Sequence, residues 1–163
     1  MKDFRDMLGL LKKHGVEFLI VGAHAMAKHD VARATHDLDI WVRATSENAP
    51  RVFRALAQFG APLEEFTVEE FATPGVGIHV GVPPLRIDVM TDISGIKFDE
   101  AWPRRLAGKM LGHRVFYISL ADLIRNKKVA ARDKDVLDVK RLKRQQQRLR
   151  KSARPKREKR KNN

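Results

Sequence analysis

The chain has 163 residues, 43% of them apolar, and a formal net charge of +13 from 33 Lys and Arg against 20 Asp and Glu. That length and apolar share suit one compact core and argue against two separate domains. No run reaches about 18 uninterrupted apolar residues and no signal-type apolar block opens the chain; with no Cys there is neither a disulfide framework nor a thiolate zinc site, so the sequence reads as cytosolic.

Phe4, Met7, Leu8, Leu10 and Leu11 recur at helical spacing and predict a first helix ending at a Gly15 C-cap. Glu17 to Val21 reads as a buried strand that stops at Gly22-Ala23, from which a helix to His29 departs. His24 and His29 fall five apart, the wrong interval for a helical zinc pair, and read as ordinary helix residues. A second strand spans about 37–43. A helix over 47–59 follows, with Ser46 as N-cap, Pro50 in its first turn and Gly60 after its end. Leu63 to Phe71 fits either a short strand or a helical turn. Gly77 to Val82 and Arg86 to Thr91 form a hairpin pair around Pro83-Pro84, a helical turn lies near 98–106, and His113 to Ile118 makes a fifth strand. Ser119 opens a helix to about Ala131, and Asp133 opens the last one. The expected architecture is α/β (α+β): a mixed, mainly antiparallel sheet flanked by helices.

The chemistry concentrates in Asp37-Leu38-Asp39, set in the apolar run Leu38, Ile40, Trp41, Val42. Residues i and i+2 of a strand project from one face, roughly 6.5–7 Å apart, so both carboxylates can hold divalent cations. Two acids on one strand face repel unless cations or Arg groups offset them. Asp88, alternating with Ile87 and Val89, is a third acid that joins them if its strand pairs beside the first. The strand, Gly turn and helix start at Gly22-Ala23 leave backbone N–H groups free, an arrangement that suits phosphate. Arg33 precedes the acidic strand, where it can neutralise a phosphate or pair with Asp37; Thr35 and His36 shape the same loop.

These residues resemble the polymerase-beta-like nucleotidyltransferase superfamily, and more closely its small prokaryotic branch related to abortive-infection and toxin–antitoxin nucleotidyltransferases. The resemblance rests on Val21-Gly22-Ala23, on Arg33-Ala34-Thr35-His36-Asp37-Leu38-Asp39 and on Arg86-Ile87-Asp88-Val89. It extends to Asp122-Leu123-Ile124-Arg125-Asn126-Lys127 and to Arg132-Asp133-Lys134-Asp135-Val136-Leu137-Asp138. Ala23 stands where the family often has a second Gly or a Ser, and Ala131 where a Gly is common. The resemblance implies the nucleotidyltransferase fold and Mg-dependent transfer of a nucleoside monophosphate from an NTP to a hydroxyl. Two Mg2+ (or Mn2+) ions would be held by Asp37, Asp39 and Asp88, with Asp88 also orienting or deprotonating the acceptor. Gly22, Ala23, Arg33, Thr35, Lys127 and Asp135 would then contact the nucleotide, with Asp135 alternatively buttressing Lys127 or pairing with Arg132 or Lys134.

Charge divides the chain more sharply than any linker: residues 140–163 hold 13 Lys and Arg against one Glu, whereas residues 1–139 are nearly balanced. The expected division is a catalytic domain over 1–151 and a disordered basic tail over 152–163. Such an arm binds polyanions by counterion release. No aromatic follows Tyr117, so its grip is on phosphates rather than bases. This favours RNA, such as a tRNA end, as the acceptor, with a protein side chain as the other candidate; membrane binding lacks apolar anchors. Two alternative readings are a toxin–antitoxin component acting through a partner, and a non-catalytic nucleic-acid-binding relic of the fold.

Overall fold

The computed structural model describes residues 2–155. In chain order these form α1 (Lys2–Lys13), β1 (Phe18–Val21), α2 (Gly22–Lys28), β2 (Asp37–Val42), α3 (Ala49–Phe59), a 3-10 turn (Glu69–Ala72), β3 (Gly77–Val80) and β4 (Arg86–Met90). Then follow α4 (Phe98–Ala101), a 3-10 turn (Trp102–Arg104), β5 (Leu106–Met110), β6 (His113–Tyr117), α5 (Leu120–Ala130) and α6 (Asp133–Ser152). The strands build one mixed sheet in the order β3-β4-β2-β1-β6-β5. β2 runs parallel to β4 and β1 parallel to β6, while the other three pairs are antiparallel.

The core follows from the sequence pattern. β1 is buried at all four positions, and the apolar positions Phe4, Met7, Leu8 and Leu11 of α1 are fully enclosed. Every second residue of β4, Ile87 and Val89, is buried, which leaves Arg86, Asp88 and Met90 on the opposite face. Trp41 of β2 is 1% exposed and meets Phe98 edge-on at 5.0 Å, a geometry worth about 1 kcal/mol beyond its burial.

Several expected boundaries shift for identifiable reasons. The cap of α3 is not Ser46. Asn48 occupies the position before Ala49, and its side chain is spent on the neighbouring backbone, accepting from Glu17 N at 2.9 Å and donating to Glu17 O and Arg43 O at 3.1 and 2.9 Å. Leu63 to Phe71 yields no strand; its regular portion is the 3-10 turn. The helical turn expected over 98–106 breaks at Arg104, and Leu106–Met110 forms a sixth strand, the edge strand β5, hairpinned to β6. Leu111 and Gly112 between them both take positive φ, the conformation a two-residue hairpin loop requires. Gly108 and Lys109, both poor strand formers, conceal β5 in the sequence. Ser119 does cap α5, its hydroxyl accepting from Asp122 N at 3.2 Å. α6 continues unbroken to Ser152, and the expected disorder of the basic tail beyond concerns residues of which 156–163 lie outside those described.

Candidate active site

One cleft of about 560 Å³ collects nearly all the singled-out residues. Its floor is the exposed face of β2 and β4, carrying Asp37, Asp39, Arg86 and Asp88. One side is the Val21-Gly22-Ala23 turn with Arg33 and Thr35 from the loop before β2; the other is Asn126, Lys127 and Ala130 of α5 with Arg132 and Lys134 at the start of α6. Asp37, Asp39 and Asp88 thus lie on the sheet with Arg86 among them, and the other cations line the walls.

The parallel register of β2 and β4 sets Asp39 opposite Asp88 and Asp37 opposite Arg86. Antiparallel pairing with β3 adds His79 opposite Asp88. Arg86 spans both strands, its Nε 3.0 Å from Asp88 and its Nη2 3.3 Å from Asp37, and His79 Nδ1 lies 2.5 Å from the same Asp88 oxygen. Among the described residues Asp39 has no such partner. Burial, then the charges of Asp88 and Asp37, push its carboxyl up to about 6, against a smaller opposing pull from Lys134 and Lys127.

Gly22 adopts φ +66°, and a Cβ placed there would stand 2.0 Å from Asp39 Oδ2. The turn therefore has two independent reasons to be glycine: the left-handed backbone and the proximity of the carboxylate. Gly22→Ala is expected to cost at least about 2 kcal/mol from the backbone conformation plus the clash, and to lower turnover by about 100-fold or more by displacing Asp39. Denaturant unfolding and steady-state kinetics on the same preparation measure the two effects. Ala23, by contrast, is small, buried and lines the cleft without conflict.

Behind the cationic wall is a buried ion network. Lys127 is 4% exposed, with Nζ 2.8 Å from Asp138 Oδ2 and 3.5 Å from Asp135 Oδ1. Arg33 donates to the same Asp138 oxygen at 2.7 Å, so one carboxylate of α6 fixes a cation from α5 and another from the loop before β2. Asp135 is fully buried and lies outside the cleft lining: it accepts from Arg132 N and Nε at 3.1 and 2.8 Å, closing the first turn of α6. Burial pushes its carboxyl up, but the hydrogen bonds and charge of Arg132, with the charge of Lys127, outweigh that and hold it below the usual range. Asp135 thus pairs most closely with Arg132, with the Lys127 ammonium farther off at 3.5 Å. Thr35 hydroxyl accepts from Asp37 N at 3.0 Å, locking the entry to β2. Asp122 faces away from the cleft and pairs with Arg104 through both oxygens.

Arg86, His79 and Asp138 were not assigned roles from the sequence. Arg86 carried the available signal, two residues before Asp88 on the same strand face; His79 and Asp138 become partners only through strand pairing and helix packing.

Residues 1–162, all but the last of the chain, match the family model described as "Nucleotidyl transferase of unknown function (DUF2204)". The chain belongs to this nucleotidyl transferase family. Two solved structures share the fold: a putative nucleotidyltransferase (TM1012) from Thermotoga maritima, and the antibiotic-resistance factor ANT(2'')-Ia, solved in solution. The first is 14% identical with TM-score 0.55 over 93% of this chain and 90% of its own; the second is 13% identical with TM-score 0.57 over 93% and 91%. A search of curated proteins returned no match. Among the described residues no helix is long and apolar enough to cross a membrane.

The donor set is compatible with divalent metal, though not pre-assembled: among the described residues no three His, Cys, Asp or Glu side chains are gathered closely enough to hold one ion. Asp37 and Asp88 are turned instead toward Arg86, which offsets their repulsion with a guanidinium. The elevated Asp39 carboxyl marks negative charge left uncompensated between them. Hard oxygen donors around such charge suit Mg2+ or Mn2+.

Proposed function

We propose that the protein transfers a nucleoside monophosphate from an NTP to a hydroxyl acceptor, the acceptor oxygen bonding to the α-phosphorus as the bond to the β-phosphate breaks and pyrophosphate leaves, with Asp37, Asp39 and Asp88 as the residues that would hold two Mg2+ or Mn2+ ions. The observation that supports this most directly is the register of β2 on β4, which sets Asp39 against Asp88, one strand-step from Asp37, on the floor of a cation-walled cleft. When bound, two such ions supply Lewis-acid chemistry, acidifying an attacking hydroxyl and neutralising charge on the triphosphate. The chain's own groups do the rest. Lys127 and Arg33, held by Asp138, present fixed positive charge to the triphosphate, and Arg132 and Lys134 extend that wall. Gly22 and Ala23 keep the turn low enough for the nucleotide to approach Asp39. Asp88, steadied by His79, orients the acceptor hydroxyl and takes its proton; Arg86 yields Asp37 and Asp88 when cations compete for them. RNA is the preferred acceptor and a protein side chain the other, in a reducing cytoplasmic setting that suits a chain without Cys.

Incubation of the full chain with each labelled NTP, Mg2+ or Mn2+, and total RNA or lysate protein tests this. Label in either polymer that disappears with EDTA is expected; no transfer with any of the four nucleotides under either metal would overturn it.

A further inference from the structure

We infer that α6 is a docking rail for a single-stranded RNA end, leading its terminal hydroxyl into the cleft. This rests on the proposed transfer reaction and names its acceptor surface. Lys134, near the start of α6, lines the cleft. Arg141 and Arg148 follow it at seven-residue steps, which on an α-helix return to nearly the same line, with Arg144 and Lys151 beside them. At 1.5 Å per residue the row from Lys134 to Lys151 is about 26 Å long. Arg141 donates to Ala32 O at 2.7 Å, tying the row to the loop that carries Arg33 and Thr35 into the cleft.

The far half of this helix is not explained by folding. α6 buries Asp135, Asp138, Leu142 and Gln145, but residues 147–152 are all exposed. Its three acids lie in the first two turns; after Asp138 the helix has none. Arg144, Arg148 and Lys151 form no ion pair among the described residues, and like charges three and four apart destabilise a helix. A helix that keeps this arrangement without burying it is matched to a polyanion. A membrane surface fits poorly, since Leu149 is the sole exposed apolar residue in the last three turns. With no aromatic on α6 the contact is to phosphates, released counterions supplying the driving force and sequence being indifferent. A cleft of about 560 Å³ admits a nucleotide and one strand end rather than a duplex, and a single-stranded RNA end carries the ribose hydroxyl that the proposed transfer needs.

The test compares the full chain with the triple variant Arg144→Gln, Arg148→Gln, Lys151→Gln, which keeps good helix formers at exposed positions. Anisotropy of a labelled single-stranded RNA of about 20 nucleotides gives Kd across a salt series. The variant is expected to bind about tenfold or more weakly near 0.1 M salt, and its slope of log affinity on log salt to fall by about 2, three contacts at roughly 0.7 each. Binding of a fluorescent nonhydrolysable NTP with Mg2+ is expected to be unchanged. Unaltered RNA affinity and slope would overturn the rail, as would the same loss produced only by deleting residues 156–163. Preference for duplex, or transfer of label to DNA or protein in place of RNA, would overturn RNA as its occupant; equal binding of single-stranded DNA is the expected result for a contact made to phosphates alone. A wild-type chain that transfers to no acceptor sinks the proposed reaction, while the binding slopes still decide whether the rail exists.

Discussion

Asp39→Asn is expected to lower nucleotidyl transfer about a thousandfold, some 4 kcal/mol of transition-state stabilisation, while making the metal-free protein more stable at neutral pH. Both effects have one origin, a partly buried carboxylate facing Asp88 and Asp37 with no cation paired to it among the described residues. The direction with pH follows from the raised carboxyl. Below about pH 3.8 both folded and unfolded chains hold this proton, and the residue contributes nothing. Between there and about 6 the unfolded chain releases it while the folded chain retains it, so stability declines as pH rises through that window. Above about 6 the full penalty persists, at most about 3 kcal/mol for a shift of roughly two units. In EDTA, urea unfolding should therefore find Asp39→Asn more stable than the parent at pH 7.5 and indistinguishable near pH 3.5. Equal stability at both pH values, or undiminished turnover, would contradict the account.

Lys127→Met should have the largest effect on folding. It leaves Asp135 and Asp138, both essentially inaccessible to water, without their shared ammonium, and breaking a buried pair in this way costs about 3–5 kcal/mol. Arg132 and Arg33 still hold one carboxylate each, which places the expectation at the lower end, about 3 kcal/mol, or roughly 6–12 °C in Tm. NTP affinity should fall as well, because the wall of the cleft loses the Lys127 ammonium while Arg33 keeps its pairing with Asp138. Adding Asp138→Asn to Lys127→Met removes one stranded charge and should recover part of the stability but none of the NTP affinity. Calorimetry and nucleotide titration of the single and double variants separate the two. Recovery of nucleotide binding in the double variant would show that Lys127 acts on the fold alone.

The same chain thus contains parts that were readable one segment at a time and parts that were not. Asp37 and Asp39 were readable because a strand's period of two is local: the face they share is decided by the residues between them. Gly22, Ser119 and Gly60 were readable because caps and turns answer to backbone stereochemistry within a few residues. β5 was hidden because Gly108 and Lys109 lack strand propensity and its order comes from pairing with β6. The burial of Lys127 was hidden as well, since beside Lys128 and Arg125 it reads as one of three solvated cations until α6 is packed across it.

The family resemblance, the acidic strand and the concentration of positive charge toward one end were determined by sequence, because each depends on residue type and short spacing alone. The meeting of Asp88 with Asp39, the bridging of two strands by Arg86, and the coupling of Arg33 to Lys127 through Asp138 were decided only by tertiary structure. Partners separated by 11, 49 and 105 positions are brought within hydrogen-bonding distance by strand register and helix packing, which depend on how the whole core closes and not on any one segment's preference.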